Sequence, residues 1–250
     1  MNPWPYPYWI AHRGAGKLAP ENTLAAFRLG AQHGHTCFEC DVKLSRDGVP
    51  FLMHAAELLR TTGQPGLGGE RDWSELSRLD AGAWHSAHYA GEPLPTLERI
   101  ATFIRAHGFL INLEIKPTPG SETETGRVVA ERVRSLWAGA DVTPLLSSFR
   151  PEALLAAMQA APELPRGLLL DEPWTGWADI AKQLGCTAII ANRRKLDAAL
   201  AAQARSVAPR LLVYTVNEPA DVARVEGFGV DGIITDAVDR FAPKRSTTRS

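Results

Sequence analysis

Two histidines, three acids and two cations stand out in the first half of the sequence for their types and their spacing. Glu39 and Asp41 alternate within the apolar run Cys37-Phe38-Glu39-Cys40-Asp41-Val42, and Glu114 and Lys116 flank Ile115 at the end of a second such run. His12 and Arg13 close a third run, and His54 closes a fourth. On a strand, alternate residues share a face, so Glu39 and Asp41 point to one side and repel each other unless something cationic joins them. With Glu114 they offer three oxygen donors and no cluster of His or Cys ligands, which suits a hard divalent ion: Mg²⁺ first, with Mn²⁺ or Ca²⁺ as alternatives and zinc disfavoured. A buried ionic network with Arg13 and Lys116 would need no ion and is the structural alternative.

An ion, two cations and two histidines together match what displacement at an anionic phosphorus requires. Arg13 and Lys116 would neutralise phosphoryl oxygens, while His12 and His54 would serve as base and acid. Proton transfer contributes about 10² to 10⁴ per group, far below the enhancement phosphate esters need, so magnitude as well as composition calls for the metal.

These groups have to be brought together by strands. Short apolar or β-branched runs at 8–12, 37–42, 109–115, 144–148, 166–170, 187–191, 211–215 and 231–235 alternate with helical patterns. Eight strands in that order predict an α/β fold, a TIM-type (β/α)8 barrel whose reacting groups sit at the C-terminal strand ends. A ninth run at 49–54 follows the turn Ser45-Arg46-Asp47-Gly48 too closely for a parallel crossover and must fold back as a hairpin. Residues from about 43 to 95 therefore form a small, glycine-rich insertion between the second strand and its helix, capping the C-terminal mouth. The expected helices cover 22–33, 96–107, 124–138, 151–161, 174–184, 195–206 and 218–226. One domain spans 1–243, followed by a polar tail at 244–250.

Composition narrows the partners. A net charge of −1 over 250 residues leaves no footprint for nucleic acid or an anionic membrane. The proline-rich opening is not a signal peptide and no apolar run is long enough to span a bilayer, so a small-molecule substrate, a cytoplasmic location and no membrane insertion are expected. No feature speaks to oligomeric state. Cys37 and Cys40 are spaced like a redox pair but lie three apart on a strand, which separates the sulfurs; with Cys186 they read as buried thiols.

The same residues carry a resemblance to the glycerophosphodiester phosphodiesterase family. Its opening motif matches His12-Arg13-Gly14 and Pro20-Glu21-Asn22-Thr23. The match continues through Glu39 and Asp41, Asp47-Gly48, His54, Arg60-Thr61-Thr62, Leu94-Pro95-Thr96-Leu97-Glu98, Glu114-Ile115-Lys116, Ser147-Ser148-Phe149, Tyr214-Thr215-Val216-Asn217 and Thr235-Asp236. The chain looks most like the compact cytosolic bacterial form associated with glycerol 3-phosphate uptake. The resemblance implies hydrolysis of glycerophosphodiesters such as glycerophosphocholine or glycerophosphoethanolamine to glycerol 3-phosphate and an alcohol, in glycerol and lipid metabolism. It implies Glu39, Asp41 and Glu114 as ligands of one divalent cation, His12 and His54 as the acid-base pair, and Arg13 and Lys116 as phosphate contacts. One departure stands out: the family usually follows its second histidine with Asp, whereas Ala55 stands here, with Glu57 or a backbone carbonyl as replacement candidates.

Several residues carry open readings. Glu21, Asn22 and Thr23 begin a helix and are as well suited to capping as to ligand contact. Tyr214 and Trp84 are candidates for the substrate entrance. His33 and His35 belong with surface structure, while His85 and His88 lie in the insertion. A non-catalytic barrel that binds glycerophosphodiesters or a metal is the alternative outside enzymes, supported by Ala55. A related lysophospholipid phosphodiesterase would share the acids and histidines and should add an apolar ridge, which the sequence does not display.

Overall fold

The computed structural model describes residues 4–243, so the expected tail at 244–250 lies outside the described residues. Nine strands form: β1 (Trp9–Ala11), β2 (Cys37–Leu44), β3 (Pro50–Leu52), β4 (Leu110–Ile115), β5 (Leu145–Ser148), β6 (Arg166–Leu170), β7 (Ala188–Asn192), β8 (Arg210–Tyr214) and β9 (Gly232–Thr235). Eight are parallel to their neighbours and close into a barrel, because Ala11 of β1 pairs with both Phe38 of β2 and Thr235 of β9. The ninth, β3, folds back on the far end of β2 with Val42 opposite Leu52, as the short connection requires.

Alternation along β2 sorts its side chains into two layers. Phe38, Cys40 and Val42 face outward into the core shared with the helices, beside Phe27, Leu97 and Ile100. Cys37 faces inward and helps fill the barrel with Ile10, Leu145, Leu169, Ile190, Leu212 and Ile234. The two sulfurs thus lie on opposite sides of the sheet, and all three cysteines are free and buried. Burial pushes the Cys37 and Cys40 thiols well above their ordinary range, which suits inert core residues.

Helices α1 (Leu24–Gln32), α4 (Leu97–Ala106), α5 (Glu122–Leu136), α6 (Pro151–Ala160), α7 (Trp177–Gln183), α8 (Ala198–Val207) and α9 (Pro219–Glu226) wrap the barrel, with α2 (Leu59–Thr62) and α3 (Trp73–Leu76) short turns in the insertion. Their starts follow from capping: Thr23 accepts from the Ala26 N–H at 3.3 Å, and Thr96 from the Arg99 N–H at 3.2 Å. In α4 the buried positions Leu97, Ile100, Ala101 and Ile104 repeat at helical spacing, which seats one face on the barrel. Among the described residues no helix follows β9. Its place is taken by a turn in which Val238 is buried and Phe241 stacks on Trp9 at 5.0 Å.

Two features depart from what the sequence suggests. His35 is not a surface residue: it is completely buried, and its Nε2 donates to the Val238 carbonyl at 3.2 Å, tying the start of β2 to the turn after β9. The insertion is more than glycine-rich turns, for it has its own core of Phe51, Met53, Leu58, Leu76, Ala81 and Leu94, packed on Trp73.

A close approach fixes where α1 sits. A Cβ built on Gly30 would lie 2.1 Å from the Gly14 carbonyl oxygen, so the helix can rest on the loop after β1 only without a side chain there. Gly30→Ala is expected to lower stability by about 1 to 3 kcal/mol, read as a lower denaturant midpoint, as overpacking does. A second expectation concerns pH. Burial holds His35 below its ordinary value of 6.5, so its folded form stays neutral while the unfolded chain takes up a proton. The stability it contributes is present above pH 6.5 and is lost as pH falls below it. The stability gap between the wild type and His35→Gln should narrow over that range, and a constant gap would refute the assignment.

Candidate active site

The C-terminal end of the barrel gathers every polar group singled out at the strand ends. Glu39 and Asp41 from β2 and Glu114 from β4 are all buried, and each offers an oxygen within 4.8 Å of the others. The register places them there: Asp41 is the direct neighbour of Glu114, and Glu39 of Asn112. Burial and Asp41 push the Glu39 carboxyl up to about 7, and the same causes push Glu114 up to about 8. Burial acts on Asp41 too, but Arg13, Lys116, His54 and Asn22 outweigh it and hold that carboxyl well below the usual range. The cluster therefore holds less negative charge by itself than three carboxylates could, and its all-oxygen donors suit a hard cation that would let all three ionise.

Asn22 fastens the centre of this cluster. Its side-chain amide donates to Asp41 Oδ2 at 2.8 Å, and its side-chain oxygen accepts from the Asp41 N–H at 3.1 Å. To do so it adopts φ 61°, and Arg13 adopts φ 50°; both lie in the left-handed region that non-glycine residues rarely occupy. The strain is held by the Arg13 N–H donating to Glu39 and the Arg13 carbonyl accepting from the Asn22 N–H. The open reading of the segment Glu21-Asn22-Thr23 thus divides. Thr23 caps α1, Asn22 grips Asp41, and Glu21 pairs with Arg13 at 3.1 Å and with Arg60.

The cations face the acids from two sides. Arg13 Nε lies 3.3 Å from Asp41, and Lys116 Nζ lies 2.7 Å from Glu114 and 3.6 Å from Asp41. Next to Lys116, Lys43 is almost fully buried and donates to the Lys116 carbonyl at 2.8 Å; burial pulls its pKa down to about 8.

The two histidines are held differently. His12 Nδ1 lies 2.6 Å from Asp236, whose other oxygen accepts from the Asn217 amide at 2.9 Å. That contact makes Nδ1 the donor and leaves Nε2, 3.7 Å from Glu39, on the pocket side. Burial lowers the His12 pKa, but Asp236 and Glu39 more than reverse this and raise it. Asp236 itself is pushed up by burial and brought down to about 2 by His12 and Asn217. The loop after β1 also rests on this carboxylate's backbone: a Cβ on Gly16 would meet the Asp236 carbonyl oxygen at 2.1 Å. His54 has no such support. Its ring has no hydrogen-bond partner among the described residues, neither Glu57 nor a carbonyl replaces the absent carboxylate at position 55, and burial takes its pKa down to about 4.

Of these groups His12, Arg13, Glu39, His54, Glu114 and Lys116 line one pocket, together with Asn112, Phe149, Leu169, Tyr214, Thr215 and Ile234. Tyr214 stands on its wall, edge-on to Phe149 at 5.8 Å. Trp84 is not on the lining; it stands outside, half-exposed, with Arg60 over its ring at 5.7 Å. His85 Nε2 contacts the Lys17 carbonyl, joining the insertion to the loop after β1, and Leu18 on that loop and Leu59 and Trp84 on the insertion are exposed. Sequence reasoning assigned no role to Asp236, Asn217 or Asn112. Asp236 directly follows the end of β9, as Lys116 directly follows the end of β4.

Comparison with known proteins gives a consistent answer. The model of the glycerophosphoryl diester phosphodiesterase family matches residues 12–240. The chain is 32% identical to a glycerophosphodiester phosphodiesterase of Caldanaerobacter subterraneus subsp. tengcongensis, over 91% of this chain and 93% of that protein. Among solved structures it is similar to a phosphodiesterase of Oleispira antarctica in complex with the product sn-glycerol-3-phosphate, with a TM-score of 0.88, 33% identity and coverage of 94% and 95%. A glycerophosphodiester phosphodiesterase of Agrobacterium tumefaciens gives a TM-score of 0.74 at 28% identity, covering 92% of this chain and 96% of that one.

The His12–Asp236 contact generates a prediction that needs no substrate. Because Asp236 raises the His12 pKa, Asp236→Asn should lower the pH at which the His12 ring titrates, followed by NMR on ion-free protein. An unmoved titration would mean that the contact does not set the ring's protonation.

Proposed function

Because the chain belongs to the glycerophosphoryl diester phosphodiesterase family, we propose that it hydrolyses small glycerophosphodiesters, such as glycerophosphocholine and glycerophosphoethanolamine, to glycerol 3-phosphate and an alcohol. The observation that carries this reading is the convergence of Glu39, Glu114, Arg13, Lys116, His12 and His54 on one pocket at the barrel's C-terminal end, with Asp41 buried within 4.8 Å of the other two carboxylates. Residues from about 43 to 95 serve as an insertion on a single domain spanning 1–243, and deliver His54 to the mouth. No helix among the described residues is long and apolar enough to cross a membrane. We place the enzyme in the cytoplasm, in glycerol and lipid metabolism.

Glu39, Asp41 and Glu114 would hold one divalent cation, Mg²⁺ in first place and Mn²⁺ or Ca²⁺ as alternatives, supplying Lewis-acid charge at the phosphoryl oxygens. The residues' own part is positioning and proton movement. Arg13 and Lys116 bind the non-bridging oxygens and offset their charge, with the Lys116 side chain steadied by the face of Phe149 at 5.1 Å. One histidine takes a proton from the attacking oxygen, that of water or of the glycerol 2-hydroxyl, as it bonds to phosphorus; on the second route water then opens the cyclic phosphate to glycerol 3-phosphate. The other histidine gives a proton to the departing alkoxide as the second phosphorus–oxygen bond breaks, so the alcohol leaves neutral. Asp236 keeps the His12 ring in one tautomer with Nε2 toward the reacting atoms. Tyr214 lines the entrance, with Trp84 on its outer edge.

In a second reading the acyl chain of a lysophospholipid rests outside the pocket while its phosphodiester enters, and the exposed Leu18, Leu59 and Trp84 are the side chains on its side. A non-catalytic binding barrel is the remaining alternative, and His54 without a supporting carboxylate is the observation on its side.

One assay addresses all three. Metal-stripped protein with Mg²⁺, Mn²⁺ or Ca²⁺ restored should release glycerol 3-phosphate from glycerophosphocholine and glycerophosphoethanolamine, and act less well on lysophosphatidylcholine. A preference for the lysolipid would promote the second reading, and no release with any ion from folded protein would promote the third. His12→Ala and His54→Ala should each lower kcat by about 10² to 10⁴ while leaving the fold intact; near-full activity removes that histidine from the chemistry. Glu39→Gln combined with Asp41→Asn should abolish ion binding in a calorimetric titration together with activity, and an unchanged titration would overturn the ligand assignment.

A further inference from the structure

Asn112 lies on β4 two residues before Glu114, so both side chains face the barrel interior, and its Cα neighbours are Glu39 on β2 and Leu145 on β5. It is 1% exposed and lines the pocket, yet neither its side-chain oxygen nor its side-chain nitrogen has a hydrogen-bond partner. Ser147, the register partner of Glu114 on β5, is also completely buried with an unpartnered hydroxyl. The contrast with Asn22 is direct, since that carboxamide uses both of its atoms on Asp41.

A buried amide without partners keeps the full cost of its desolvation, whereas an apolar residue of similar shape in its place would be nearly neutral. We infer that Asn112 binds a hydroxyl of the glycerol part of the substrate and so sets the enzyme's preference for glycerol over simple alkyl phosphodiesters. This inference rests on the proposed function. A carboxamide offers one donor group and one acceptor in the same plane, and a hydroxyl is the small group that satisfies both. An anion would meet the Asn112 oxygen and the carboxyls of Glu39 and Glu114, and so belongs with Arg13 and Lys116. Leu169 and Ile234 supply apolar walls of the same pocket for carbon-bound hydrogens. A short polyol attached to a phosphate presents that alternation of apolar carbon and hydroxyl.

The test compares two ligands that share the phosphate and differ only in the hydroxyls, sn-glycerol 3-phosphate and propyl phosphate. Their dissociation constants are measured by calorimetry on ion-loaded protein, with hydrolysis of glycerophosphocholine by the wild type followed alongside. The wild type should prefer glycerol 3-phosphate, and Asn112→Leu should reduce that preference about tenfold, the size of one neutral hydrogen bond with its desolvated partner. A merely structural role would weaken both ligands alike and leave the ratio unmoved. If Asn112→Leu does not fold, Asn112→Ala reads the same ratio. A wild type that hydrolyses glycerophosphocholine but shows no preference, or a variant that keeps the wild-type ratio, overturns the assignment of Asn112. A wild type that hydrolyses nothing and binds neither ligand overturns the proposed function instead.

Discussion

Three carboxyl groups crowded within 4.8 Å of one another, away from water, are the constraint to which the rest of this molecule answers. Two like charges 4 Å apart repel by about 4 kcal/mol at the effective dielectric typical of protein sites, and burial adds its own penalty. The chain offsets this with groups that come from separate elements: Arg13 after β1, Lys116 after β4, and the Asn22 carboxamide before α1. The unusual backbone at Arg13 and Asn22 and the bare Cα of Gly30 belong to the same account. They allow the loop after β1 to lie close enough to the acids to donate to them.

Closure of the barrel supplies the second half of the site. Because β1 pairs with β9, the end of the chain returns beside its beginning, and Asp236 meets His12 across 224 residues of sequence. The contact is reinforced by Asn217 from the end of β8 and by Gly16, whose missing side chain lets the two strand-end loops touch. His35 performs a similar service on the outer layer, where its buried ring joins the entry to β2 to the turn after β9. A barrel that failed to close would lose the orientation of His12 before it lost the acids, which come from the adjacent pair β2 and β4.

His54 arrives by a different route. It follows β3, the strand that leaves the barrel, and its position depends on the separate small core that Phe51, Leu58 and Leu76 build in the insertion. That core explains how a segment rich in turns can hold a side chain over the pocket without a hydrogen bond to the ring. It also gives the site an asymmetry: one histidine ring is locked by a carboxylate network within the barrel, while the other is carried by its backbone, through the pairing of β3 with β2 and the Met53 N–H donating to the Asp41 carbonyl.

The sequence by itself determined the fold class, the strand ends and the residue types gathered there, because the period-two alternation of β2 and the repeat of strand and helix are local signals. Glu39, Asp41 and Glu114 were legible for that reason, as were Arg13, Lys116 and both histidines, and the opposite facing of Cys37 and Cys40 followed from the same period. Tertiary structure decided the pairings across the closure. Nothing local to Asp236 says that it faces His12, since that depends on β1 meeting β9, and nothing local to His35 says that Val238 will cover it. It also divided Glu21, Asn22 and Thr23 among three jobs that a capping pattern cannot separate. Asn112 lay hidden for the same physical reason: a polar residue within a strand looks ordinary until the neighbours that could have satisfied it prove to be elsewhere.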